Sequence, residues 1–146
     1  MTASQRGSVR LCAAVMLASC TMSTAPTRDF DSAYRLWRSS GLVNYTFKST
    51  VLCFCGPEYT APMTVTVRGG AVISVVDRST GAVRPLNYRQ SVDRVFSAAA
   101  TEIMVRPDRL HVTYDVSLGY PRTLTYGTPE NDGGGYISVD SVRAVP

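Results

Sequence analysis

"MTVTVRGGAVISVVD", residues Met63 to Asp77, decides the reading of this chain. Met63, Val65 and Val67 alternate with threonines, the period of two that marks a strand with one apolar face. Gly69-Gly70 then supplies the positive backbone dihedrals that a two-residue hairpin turn needs. With that turn, Val67 is expected to pair with Val72, Val65 with Ser74 and Met63 with Val76, giving one mostly apolar face. The unit to build outward from is an antiparallel hairpin.

Upstream, Tyr45, Phe47, Val51 and Cys53 fall on one face of a further strand, with Thr46, Lys48 and Thr50 on the other. Before it, Phe30, Ala33, Tyr34 and Trp37 recur at helical spacing, which predicts a helix over about residues 30–39. Asp29 and Asp31 suit its first turn, where the dipole favours carboxylates, and Gly41 suits its stop. Downstream, "RSTGAVRPLNYRQ", residues 78–90, has no period and reads as a loop. Ser91 is placed to cap a second helix in which Val92, Val95, Phe96, Ala99 and Ile103 share a face, and Pro107 ends it. Leu110, Val112, Tyr114 and Val116 then alternate with His111, Thr113 and Asp115, and Gly119 with Pro121 marks the turn of a second hairpin. After the loop "TPENDGGG", residues 128–135, a last strand "YISVDSVRAV" closes the chain.

The expected order is α-β-β-β-α-β-β-β. Strands segregated in meanders imply an antiparallel sheet, and two amphipathic helices can cover only one of its faces. The expected class is therefore α+β in two layers, with about six strands. The two halves share element order without a residue-level match, so no repeat is assigned.

The N-terminus speaks to compartment. "MTASQRGSVR" carries Arg6 and Arg10, and "LCAAVMLAS" is apolar up to its final serine, the pattern of an export signal too short to span a bilayer. Leu17-Ala18-Ser19-Cys20 resembles the lipobox of bacterial lipoproteins. That resemblance implies removal of residues 1–19 and a diacylglyceryl thioether on Cys20. Residues 20–28, small, polar and proline-bearing, would tether a single domain over 29–146. Two or three acyl chains anchor stably where a single chain is marginal. Thr21 is not the aspartate of an inner-membrane retention signal, so the periplasmic side of the outer membrane is expected in a two-membrane bacterium. In other bacteria the expected place is the outer face of the cell membrane.

Composition narrows the function classes. Signal removal leaves 127 of 146 residues, enough for one core, and 13 basic against 11 acidic residues, a side-chain charge of +2. No basic cluster interleaved with aromatics appears, which argues against a nucleic-acid partner. No cofactor motif is present. With Cys12 in the signal and Cys20 lipidated, Cys53 and Cys55 remain as an even pair in an oxidising compartment. A C-x-C can be a redox couple, half a metal site or a staple. Zinc on Cys53, Cys55 and His111 lacks the usual second pair. A hydroxyl-His-Asp set on His111, Thr113 and Asp115 has no nucleophile context around it. The expectation is a disulfide that stiffens a bend before Gly56-Pro57, with thiol redox activity as the competing reading.

"WRSSGLVNYTF", the "CFC" pair, "VTVRGGAVISV", "SVDRVF" and "VTYDVSLGYP" together resemble the bacterial family called domain of unknown function 6174, over residues 30–143. Its members resemble small exported proteins, often lipoproteins, and the resemblance implies no activity. It implies that Trp37, Tyr45, Cys53, Cys55, Asp115, Gly119, Tyr120 and Pro121 are the positions to test. The expected function is that of a lipid-anchored binding or structural protein of the cell envelope, with the balance against an enzyme. Its partner would be an envelope protein or a small molecule, and Asp115, Tyr120, Tyr59, Tyr88 and Tyr136 are the surface candidates.

Overall fold

The computed structural model describes residues 26–127 and 133–146. Cys20, the N-terminal part of the expected tether and most of the loop at residues 128–135 lie outside the described residues. Helix α1 runs Pro26–Ser39, β1 Tyr45–Leu52, α2 Pro57–Thr60, β2 Met63–Arg68, β3 Ala71–Asp77, α3 Val92–Val105, β4 His111–Tyr114, β5 Pro121–Tyr126 and β6 Gly135–Ala144. The six strands form one antiparallel sheet in the order β3-β2-β1-β6-β5-β4. The two meanders join through β1 and β6, so the first strand of one half meets the last strand of the other. Element order repeats, and sheet order repeats with it, each half contributing its third, second and first strand in turn.

Helix α1 begins at Pro26, earlier than its apolar period indicates, because proline's fixed φ suits a first helical position. The one-turn helix α2 begins at Pro57, directly after Gly56, and had no periodic signal to find. Two 3-10 turns, Leu86–Tyr88 and Pro107–Arg109, flank α3.

The core lies between the two long helices and one sheet face. Tyr45, Phe47, Met63, Val65, Val67, Val75, Leu124 and Val139 come from the strands, Ala33 and Trp37 from α1, and Val92, Val95, Phe96 and Ala99 from α3. The other face is rich in hydroxyls and, among the described residues, no helix covers it. Thr50, Ser138, Thr123 and Thr113 stand opposite one another across β1, β6, β5 and β4, with Thr113 and Thr123 oxygens 2.6 Å apart.

The first hairpin departs from the expected register. Val67 faces Val72, but Thr66 faces Ser74 and Val65 faces Val75, so Ile73 is an extra residue in β3. An inserted residue moves everything beyond it to the other face. Val75 thereby replaces Ser74 opposite Val65 and is fully buried, while Ile73 goes to solvent. The shift also buries Asp77, which Arg84 partners at 2.8 Å. That pairing, together with the Ser79 and Thr80 amides, holds the Asp77 carboxyl below the usual carboxylate range.

Two more expectations are corrected. Strand β1 ends at Leu52, so Cys53 is outside it and exposed. Val116 does not continue the apolar face of β4, because the chain turns at Asp115 and leaves Val116 93% exposed.

Candidate functional site

The residues that carry the resemblance assemble at one end of the domain. Asp115 Oδ1 accepts hydrogen bonds from the Ser117 and Leu118 amides at 3.0 and 2.8 Å. The Asp115 amide donates to the Tyr120 carbonyl and the Gly119 amide to the Asp115 carbonyl, closing the turn. Gly119 has φ 77° and sits against the backbone of α1 at Ala33, where a β-carbon would meet Leu36 Cβ at 2.9 Å and Trp37 N at 3.0 Å. Only glycine satisfies both the dihedral and the approach. Tyr120 then turns inward onto Trp37, and Pro121 opens β5 fully buried.

Trp37 extends this contact through the core. Its ring meets Tyr45 edge-on with centroids 5.3 Å apart, and its Nε1–H donates to Asp93 on α3 at 3.2 Å. Tyr45 Oη accepts from the Val92 amide at 3.1 Å and so satisfies an orphan donor at the start of α3. Burial pushes the Tyr45 phenol up to about 12. One set of residues therefore ties α1, α3, the central strand and the β4–β5 turn together. Asp115 and Tyr120 belong to that set. Tyr120, expected as a surface candidate, is 5% exposed, and the Asp115 carboxylate is occupied by its own turn.

The cysteines lie at the opposite end of the sheet. After Leu52 the chain bends through residues 53–55, the Cys53 and Cys55 sulfurs are at bonding distance, and their α-carbons are 5.2 Å apart. That is shorter than the ~6.6 Å of two residues in an extended strand, so the bend is what brings the pair together. Phe54 between them is held out in solvent, 75% exposed.

Beneath this bend is a cavity of about 200 Å³ lined by Ser49, Val51, Cys53, Tyr88, Arg89, Val95, Tyr126 and Ile137, with Asn87 and Gln90 beside Arg89. Arg89 is 4% exposed. Its Nη1 donates to the Tyr88 carbonyl and Nη2 to the Ala61 carbonyl, each at 2.6 Å, while Nε has no partner. Among the described residues no ion pair includes Arg89. Burial lowers its pKa from the ordinary guanidinium value, yet arginine stays protonated in proteins, so a positive charge stands at the cavity wall without an anion.

The other candidates distribute around this end. Tyr59 and Tyr88 stack with ring centroids 3.9 Å apart, and burial with the Tyr59 hydroxyl raises the Tyr88 phenol. Tyr136 is half-buried on the open face beside Leu52 and Phe54. His111 stands in the same transverse row as Leu52, but across Tyr136 and Thr125 on the far edge strand, about 14 Å away at ~4.8 Å per strand. The fold does not bring it to Cys53 and Cys55. Arg89 and Ser49 were not among the expected site residues. A lone arginine in an aperiodic loop carries no local signal of burial, whereas Ser49 shares the parity of Tyr45, Phe47 and Val51, and that alternation places it on the buried face of β1.

The fold and these sites define a two-layer α+β domain with a packed tryptophan–tyrosine lock at one end and a cysteine-closed bend over a small cationic cavity at the other. The chain belongs to the family of unknown function DUF6174, which it matches over residues 29–141. No curated protein and no solved structure matches it.

Proposed function

We propose that this is a lipid-anchored protein of the cell envelope, held at the membrane by lipid on Cys20, whose domain acts by binding a small anionic molecule. The observation that supports binding is Arg89, a buried cation that lines the cavity and has no acidic partner among the described residues. A buried charge without a partner is costly, and a carboxylate or phosphate in the cavity would relieve that cost. At about 200 Å³ the cavity is below the usual range for drug-sized ligands, so the ligand is small. Val51, Val95 and Ile137 offer an apolar wall to the remainder of such a molecule. In a two-membrane bacterium the proposed location is the periplasmic side of the outer membrane.

Intact-mass measurement on membrane-extracted protein tests the anchor, with loss of residues 1–19 and added acyl mass as the expected result. A Cys20→Ser chain that stayed on the membrane to the same extent would overturn it. Binding is tested by thermal shift with short carboxylates and inorganic phosphate, where a saturable rise in Tm is expected and its absence across the series refutes the ligand class.

Thiol-disulfide exchange is the second reading, favoured by the exposure of both Cys53 and Cys55 and by Cys53 lining the cavity. Turnover with a thiol substrate, abolished in Cys53→Ser, would replace the structural role of the pair with a redox one.

A further inference from the structure

The start of α1 is placed by a shared cavity. Asp29, in its first turn, lines one wall together with Ile103 of α3, Pro107 and Asp108 of the following 3-10 turn, and His111 of β4. The N-terminus of α1 and the C-terminus of α3 therefore meet beside the start of β4. Register carries the same end of the domain across the sheet, because His111 faces Thr125, Thr125 faces Tyr136 and Tyr136 faces Leu52.

Four of the eleven large apolar side chains left in solvent among the described residues lie at this end. Met104 is 80% and Val105 60% exposed at the last turn of α3, and Leu52 is 54% exposed beside Phe54 on the bend after β1. Tyr136 stands next to Leu52 with its ring half-buried, the amphipathic kind of side chain that favours a headgroup level. Two ion pairs lie nearby, Arg106 with Glu102 and Arg109 with Asp108, each at 3.9 Å, and Asp29 adds an exposed carboxylate. Two such pairs, Leu52 with Phe54 and Met104 with Val105, give this end apolar points of contact.

The length of chain before α1 says which contact. From Cys20 to Pro26 are six residue steps, which span at most about 20 Å even when fully extended. A domain of this size is about 35 Å across, so a lipid on Cys20 holds the start of α1 within about 20 Å of the bilayer and keeps it off the far side of the domain. We infer that the end of the domain bearing Leu52, Phe54, Tyr136, Met104 and Val105 rests on the lipid surface, with its apolar side chains inserted at the headgroup boundary. The inference builds on the anchor reading given above. The fixed orientation turns the Cys53–Cys55 bend toward the membrane and the Asp115–Pro121 turn away from it.

The test uses the mature lipidated chain in phosphatidylethanolamine and phosphatidylglycerol vesicles containing brominated lipid, which quenches tryptophan on contact. Trp37 is buried and supplies a constant background. Single substitutions Phe54→Trp, Met104→Trp and Val116→Trp each add an exposed reporter. Quenching is expected at positions 54 and 104, unchanged by high salt because the contact is apolar, and none at 116. Acyl mass on Cys20 with no extra quenching at 54 and 104, or with equal quenching at all three positions, overturns the orientation alone. Absence of acyl mass overturns the anchor, and the orientation with it.

Discussion

Replacing Gly119 by alanine tests the lock at the Asp115–Pro121 turn. Two costs add at this position. A φ of 77° is left-handed, which costs an alanine side chain about 1–2 kcal/mol. The new β-carbon also enters the backbone of α1 at Ala33 and comes to 2.9 Å of Leu36 Cβ, an overpacking that costs about 1–3 kcal/mol. The sum is ~2–5 kcal/mol. Gly81 separates the two terms, because its φ is 74° and nothing lies within 4 Å of a β-carbon built there. Gly81→Ala therefore loses only the first term. Urea denaturation of both variants reads the difference. At a slope of about 1.5 kcal/mol per molar, Gly119→Ala moves the midpoint down by about 2 M, and Gly81→Ala by about 1 M or less. Equal midpoints for the two variants would show that close packing against α1 is not what position 119 requires.

Val65→Asp places a carboxylate in the middle of the buried face of β2 and should destabilise by several kcal/mol in the same assay; near-native stability would refute the face assignment. Stability should fall in acid, because the folded-state pKa of Asp77 is depressed. Its contribution is present above the unfolded value of ~3.9 and is lost as pH drops through the folded one, so Asp77→Asn should flatten that limb. Stability should also fall in base. Burial raises Tyr45 and Tyr114 to about 12 against ~10 unfolded, so their contribution is intact below pH ~10 and is lost as pH rises toward 12; an unchanged urea midpoint over that window would contradict the burial. Alkylation of native protein followed by mass spectrometry should find no free thiol at Cys53 or Cys55, and two labelled cysteines there would remove the staple.

The fold was legible where one face of an element meets water. Met63, Val65 and Val67 alternate with threonines because β2 is buried on one side only, and the stripe through Val92, Val95, Phe96 and Ala99 marks α3 for the same reason. The bulge at Ile73 was not legible. Val72, Ile73, Val75 and Val76 are all apolar, and only packing against β2 decides which of them turns inward. The motif positions were found, but their role was not. Asp115 and Tyr120 read as a polar and an aromatic surface pair, whereas Gly119 allows the turn to approach α1 and draws Tyr120 onto Trp37. The cationic cavity had no sequence signature, since it forms only when residues 87–90 fold under the bend at Cys53.

Methyl NMR of the mature domain, titrated with short carboxylates and with inorganic phosphate, tests the binding proposal most directly. Val51, Val95 and Ile137 place reporter methyls on the cavity wall beside Arg89. Saturable shifts centred on these three residues are expected, lost in a folded Arg89→Met variant. Titrations that leave them unmoved, or that shift only residues of the hydroxyl-rich open face, would contradict it.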